Sequence, residues 1–317
     1  MAQAMEGLLA GEAGPAQLGA FAAALRMKGE TDEELVAAAE VLRARAVRLP
    51  AAGLPQGMLD CAGTGGDGAH TLNVSTATAV VLAASGVPVA KAVHRAVTSR
   101  CGSAELLAAL GVPLERSAEE CAADLQARGL AFLSTTALHP GLRNVLGRKS
   151  DLGFPSFLNL LVPLLNPAGV RDQLVGCRDG AALEQLARVL GRLGTRRAWV
   201  VRGQDGMDEV SPSAPTDVAA LQADGTVRFF TISPQEAGLA PVPPESLEGG
   251  EPAANARALR SLLTGGGTPL RTAVLLNCAA ALVLSGRAPS LREGAARAAQ
   301  AIDSGAAMAK LLALSQH

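Results

Sequence analysis

Four glycines fall within six positions in Asp60-Cys-Ala-Gly63-Thr64-Gly65-Gly66-Asp67-Gly68, between a short apolar run and Asn73-Val74-Ser75-Thr76 at the mouth of a helix. Glycines let a backbone approach an anion closely and turn its N–H groups inward. A helix N-terminus behind them adds free N–H groups and partial positive charge. The hydroxyls of Thr71, Ser75 and Thr76 can donate to phosphate oxygens. Asp67 is a poor phosphate neighbour by itself and makes sense through a bridging Mg²⁺, a water or a ribose hydroxyl. The spacing is neither that of a Walker A loop nor that of the dinucleotide fingerprint GxGxxG. A plain tight turn would also use these residues.

A second chemical candidate is the acidic pair Asp208-Glu209 within Gly206-Met-Asp208-Glu209-Val-Ser211. Two carboxylates suit a hard divalent cation, and adjacent acids in a loop are also commonly just solvated. Lys91 and Arg95 form a basic pair downstream of the glycines.

Elements must position these residues. Residues 1 to about 48 read as helices, with apolar residues at helical spacing in Gln17–Met27 and Leu35–Leu42 and a capping box at Thr31-Asp-Glu-Glu34. Residues 51–57 read as a linker. Met58–Ala62, Val87–Ala90, Ala131–Ser134, Ala198–Val201 and Thr226–Ile232 read as strands. Ser75–Ser85, Ser103–Leu110, Leu183–Leu193, Ala254–Leu263 and Thr272–Leu284 read as helices. Capping boxes at Ser117 and Ser290 start two more. His139–Asn166 reads as helical, broken by Pro155 and Pro163. Alternation of short strands with helices predicts a mostly parallel α/β sheet flanked by helices, with a separate small N-terminal α-helical bundle domain. The expected division is a helical domain over 1–55, completed by about 139–167, and an α/β domain over 56–138 and 168–317.

Bulk properties narrow the classes. The 317 residues are 49% hydrophobic and 18% charged, enough for a sizeable core. Aromatics are 2% and the net charge is −1, which argues against a nucleic-acid binder. Five scattered cysteines without a CxxC suggest reduced thiols and a cytoplasmic location. No signal peptide and no membrane span are read.

Several ordered motifs together resemble the anthranilate phosphoribosyltransferases, which share a fold family with the pyrimidine nucleoside phosphorylases. Ala62–Gly68 with Asn73–Thr76 is similar to that family's signature for 5-phosphoribosyl pyrophosphate (PRPP). Lys91-Ala-Val-His-Arg95-Ala-Val-Thr-Ser99-Arg-Cys-Gly102-Ser103 is similar to its Lys-His-Gly-Asn-Arg signature with a trailing Ser-x-x-Gly-Ser. His139-Pro140, Leu152-Gly153, Phe157–Leu161, Pro163–Pro167 and Gly206–Ser211 match further stretches, so the resemblance spans nearly the whole chain.

The resemblance implies an Mg²⁺-dependent transferase of tryptophan biosynthesis that moves the phosphoribosyl group of PRPP to the nitrogen of an aromatic amine, by default anthranilate. It implies that Gly63, Gly66, Asp67 and Thr71 line the PRPP site, that Asn73, Ser75 and Thr76 hold the pyrophosphate, and that Lys91 and Ser103 contact phosphate or ribose, with Arg95 and Ser99 in the same loop. Ser75, Asp208 and Glu209 would hold Mg²⁺. Lys91, Asp208 and Glu209 would carry catalysis by neutralising the leaving group, and a homodimer through the helical domain is implied. The acceptor positions fall on His94, His139, Lys149 and Pro163. Here the sequence departs from the family. Ala92, Val93 and His94 replace His, Gly and Asn, Lys149 replaces Arg, and Val162 replaces Gly. Lys lacks the planar two-pronged grip of Arg on a carboxylate. A different acceptor, phosphorolysis of a nucleoside, and a non-enzymatic paralogue that uses Arg143, Arg148 and Lys149 as a basic patch are the competing readings.

Overall fold

The structure is a computed structural model that describes all residues except 66–70, 95–99, 143–144, 146–151 and 316–317. Three helices open the chain: α1 (Ala2–Ala10), α2 (Pro15–Lys28) and α3 (Asp32–Ala44). The Thr31 box is formed, its hydroxyl accepting from the Glu34 N–H and the Glu34 carboxylate accepting from the Thr31 N–H. Next come β1 (Leu59–Asp60), α4 (Val74–Ala84), β2 (Val89–Val93), α5 (Ser103–Ala109), α6 (Ala118–Arg128), β3 (Leu130–Ser134) and α7 (Thr135–Leu138). A short helix α8 (Phe157–Leu161) follows, and then β4 (Asp172–Gly176), α9 (Leu183–Arg192), β5 (Arg197–Gly203), β6 (Thr216–Leu221) and β7 (Val227–Ile232). Four helices close the chain: α10 (Pro252–Leu263), α11 (Pro269–Leu284), α12 (Leu291–Asp303) and α13 (Ala306–Ser315).

The seven strands lie in the order β3-β2-β1-β4-β5-β6-β7. The first five in that order are mutually parallel, and β6 and β7 are antiparallel. The sheet is therefore mostly parallel and flanked by helices, as expected. Two strands went unread in the sequence. The strand β4 opens with the polar Asp172-Gln173 and has only two large apolar residues, and β6 joins the Trp199 strand by antiparallel pairing. Within 139–166 the described residues include α8 and two short 3₁₀ turns, Pro140–Leu142 and Val162–Leu164, and Val145 is also helical. Pro155 and Pro163 bracket α8 and keep it short.

Two large cores cover the two faces of the sheet. One gathers α4, α11, α12 and α13 around Leu59, Val89 and Val201. The other joins Met5, Leu35 and Leu42 of the N-terminal helices to Phe157–Leu165 and to Val175, Val200 and Ala219 of the sheet. The N-terminal helices thus share one apolar core with α8 and with the sheet. Among the described residues no helix is long and apolar enough to cross a membrane. All five cysteines are buried, and none forms a disulfide.

Candidate active site

Strand order reverses between β1 and β4. From β1 the chain winds outward through β2 and β3, and from β4 it winds the other way through β5. In open α/β sheets the crevice outside the carboxyl ends of such a strand pair is the usual ligand site. The glycine stretch begins there. Gly63 pairs in parallel with Gly176 just beyond β1, and the Thr64 N–H donates to the Gly176 carbonyl at 2.8 Å. The Thr64 hydroxyl accepts from the Arg178 N–H at 3.3 Å, and the Thr64 carbonyl accepts from Asn159 Nδ2 at 3.1 Å. Gly65 has φ +65°, the left-handed region that glycine adopts without strain.

The acidic pair reaches the same place. A Cβ on Gly63 would stand 3.3 Å from Asp208 Oδ2, and a Cβ on Gly176 would stand 1.7 Å from the Asp208 carbonyl oxygen. Only glycine at 176 allows the 205–211 loop to approach so closely. Asn277, buried inside α11, clamps that loop by accepting from the Val210 N–H at 3.1 Å and donating to the Val210 carbonyl at 2.9 Å. The Ser211 hydroxyl donates to Asp205 Oδ2 at 2.6 Å. Asp208 and Glu209 are half-buried. The charge of Glu209 contributes to the rise of the Cys61 thiol, which burial above all pushes up to about 12.

Beneath the glycines lies a buried polar network. Asp60 is wholly buried, and its Oδ2 accepts from Asn166 Nδ2 at 2.7 Å while its Oδ1 accepts from the Ala92 N–H at 3.3 Å. Burial pushes this carboxyl up, and the Lys91 ammonium pulls it the other way. Lys91 is 3% exposed and donates from Nζ to the Cys61 carbonyl at 2.8 Å. The cation therefore stands directly behind the first residue of the glycine loop.

The expected site residues are distributed as follows. Gly63, Ser75, Asp208 and Glu209 are half-buried, and Asp208 lies against Gly63. Thr71 bridges to Glu248. Asn73 precedes α4 without a capping bond, and its amide is committed, donating to the Cys101 carbonyl at 3.0 Å and accepting from Asn255 Nδ2 at 3.0 Å. Thr76 is 0% exposed, its buried hydroxyl has no hydrogen-bond partner among the described residues, and its N–H lies in the first turn of α4. Ser103 is also committed, since its hydroxyl accepts from the His94 N–H and donates to the His94 carbonyl at 3.1 Å. Gly66, Asp67, Arg95, Ser99 and Lys149, with Arg143 and Arg148, lie outside the described residues.

On the acceptor side, His94 Nδ1 lies 2.9 Å from the Thr135 hydroxyl, which donates to the Val93 carbonyl at 3.2 Å. A hydroxyl has one proton, so satisfying both contacts makes Nδ1 the donor toward Thr135. His139 differs from the expectation of an acceptor-facing side chain. It is 3% exposed, its Nε2 lies 2.8 Å from the Leu165 carbonyl, and burial holds its pKa below the usual imidazole range. Pro163 is buried, with its carbonyl accepting from Gln173 at 2.9 Å.

Sequence reading missed Gly176, Asn159, Asn166, Asp60 and Asn277 as site-building residues. Asn277 carried a signal, as an amide inside the apolar run Thr272–Leu284. Gly176 carried none, because its need for space arises from a loop about thirty residues away.

Comparison with known proteins agrees with this arrangement. Residues 55–308 match the glycosyl transferase family a/b domain, and residues 1–46 match the helical bundle domain of the same family. An anthranilate phosphoribosyltransferase of Myxococcus xanthus is 58% identical over 315 residues, covering 99% of this chain and 92% of that one. The crystal structure of anthranilate phosphoribosyltransferase from Thermus thermophilus superposes with a TM-score of 0.90 at 38% identity, covering 99% of this chain and 93% of that one. The Saccharomyces cerevisiae enzyme in complex with PRPP and Mg superposes with a TM-score of 0.83 at 27% identity, covering 94% and 84%. With a glycine loop, an acid pair and a buried lysine gathered at the switch point of such a sheet, the chain belongs to the anthranilate phosphoribosyltransferase family of pentosyltransferases.

Proposed function

We propose that the protein transfers the 5-phosphoribosyl group of PRPP to the amino nitrogen of anthranilate. The bond from C1 of the ribose to pyrophosphate breaks, a C–N bond forms, and the amine loses one proton. The observation that carries this reading is the contact of Asp208 with Gly63, which brings carboxylates to a glycine loop at the switch point. The loop backbone and the first-turn N–H groups of Ser75 and Thr76 would receive phosphate oxygens. Lys91, held behind Cys61, adds fixed positive charge to a leaving group that becomes more anionic. Asp208 and Glu209, with the Ser75 hydroxyl, supply oxygen donors of the kind Mg²⁺ takes. Among the described residues no three acidic, Cys or His side chains cluster as a complete cage, which suits an ion completed by phosphate and water. Mg²⁺ would supply charge neutralisation at the pyrophosphate.

For the acceptor, the relatives' name favours anthranilate despite Ala92, Val93, His94, Lys149 and Val162. The decisive experiment follows anthranilate fluorescence in purified protein with PRPP and Mg²⁺. A fall that needs both and disappears in Asp208→Ala is the expected result. No fall over hours, beside an active control enzyme, refutes anthranilate as the acceptor. A homodimer through α1–α3 belongs to the same reading and is tested by light scattering.

A further inference from the structure

Away from the glycine loop, at the amino ends of β1 and β4, lies a second cavity of about 310 Å³. Its walls come from both chain crossings between the N-terminal helices and the sheet, residues 51–58 on the way in and 168–172 on the way out. The crossings are tied together by the Leu49 N–H, which donates to the Pro167 carbonyl at 3.4 Å. Leu54, Pro55, Met58 and Val170 give the cavity an apolar floor.

The rim is cationic. Asp172 is 2% exposed and already neutralised twice, by Arg196 Nη2 and by Arg197 Nη2, each 2.9 Å from its Oδ2. Arg171 also lines the cavity, and its exposed guanidinium makes no hydrogen bond or ion pair among the described residues. Arg171 and Arg196 line the cavity and, with Arg197 behind Asp172, outnumber its single carboxylate beside an apolar floor. A free guanidinium fork next to apolar surface selects a planar anion with an apolar body over either property alone.

We propose that this cavity binds a small organic carboxylate with an apolar or aromatic body, its carboxylate on Arg171 and its body on Leu54, Met58 and Val170. The site is independent of the transferase reading. Its position gives it reach, since Met58 leads into β1 and Asp172 begins β4, and the far ends of these strands carry Gly63 and Gly176. An occupant would brace both crossings against the two strands that hold the glycine loop.

The test is a ligand-observed NMR titration of the full chain with benzoate, with benzamide as its neutral counterpart and inorganic phosphate as an anion without a body. Benzoate is expected to bind with a dissociation constant of about 1 mM or tighter, and benzamide and phosphate at least about tenfold more weakly. Arg171→Ala should weaken benzoate by about tenfold or more, the loss of one charge-assisted pair. Its side chain holds nothing in the fold, so an unchanged circular dichroism spectrum is expected. Asp208→Ala, at the catalytic crevice, should leave benzoate binding intact. The proposal is overturned by equal benzoate binding to wild type and Arg171→Ala, by no binding at all, by phosphate binding as tightly as benzoate, or by loss of binding in Asp208→Ala.

Discussion

Gly176→Ala puts one methyl group in place of a hydrogen on a residue that touches no substrate in the proposed reaction, yet it should nearly abolish activity. The new Cβ would stand 1.7 Å from the Asp208 carbonyl oxygen and 2.7 Å from its carbonyl carbon, where real Cβ atoms essentially never come within 3.0 Å. The obstacle is backbone on both sides, because Gly176 also pairs with Gly63 and accepts from the Thr64 N–H. Relief requires the Asp208 backbone to retreat by more than an ångström from the glycine loop. A misplacement of about 1 Å at a positioned group costs on the order of 10²-fold in rate. Overpacking should also cost about 1–3 kcal/mol of stability. The assay is kcat/KM for anthranilate and PRPP across an Mg²⁺ titration, with circular dichroism to show that the variant is folded. Gly180→Ala is the control, since its Cβ would meet nothing closer than 3.6 Å. A folded Gly176→Ala variant within about threefold of wild type, at the same Mg²⁺ requirement, would refute the claim that close approach of the 205–211 loop builds the site.

Asn159→Leu removes the donor to the Thr64 carbonyl and the acceptor for the Ser156 N–H. It should cost about 1–3 kcal/mol in chemical denaturation and raise KM for PRPP more than KM for the acceptor. Burial raises all five thiols, with Cys61 and Cys177 pushed up to about 12 and Cys121 to about 11. The native protein should therefore give almost no reaction with a disulfide reagent at pH 8, and five thiols after unfolding. His139 has a folded pKa below its unfolded value, so the unfolded chain binds the extra proton. Its contribution is full above about pH 6.5 and is lost as pH falls through the folded pKa, with a slope of up to about 1.4 kcal/mol per pH unit. His139→Gln should flatten that part of the stability profile measured by denaturant between pH 7 and 5, and an unchanged slope would show that another group titrates there.

Local chemistry was legible in the sequence, whereas long-range approach was not. The capping boxes at Thr31, Ser117 and Ser290 all start helices where the residue pattern places them, because a cap is decided within four residues. The glycine loop announced itself by composition, and its neighbour Asp208-Glu209 by motif. The pairing of Gly63 with Gly176, and the intrusion of the Asp208 backbone beside it, depend on which strands become neighbours. Neither residue type nor resemblance shows which internal bonds a site side chain makes. Thr76, Asn73 and Ser103 have hydroxyls or amides suited to phosphate, but packing turns one inward and commits the other two to backbone or to Asn255.

That distribution bears on how the two halves of the site communicate. The segment that matches the family's middle helices does more than fill the helical domain. Asn159 donates to the glycine loop, Asn166 donates to Asp60 under β1, and the Pro163 carbonyl accepts from Gln173 in β4. All three are buried amide contacts between one short stretch and the two strands at the switch point or the loop that follows β1. Leaving any one unmade in the interior costs about 1–3 kcal/mol, so these bonds tie the stretch to the strands and the loop. Val162 stands inside this stretch, between the two asparagines. Val162 therefore sits on the structure that fixes the glycine loop, next to Pro163. A substitution on the acceptor side can be felt in PRPP binding by this route, and reverting Val162→Gly tests it through KM for PRPP as well as KM for the amine.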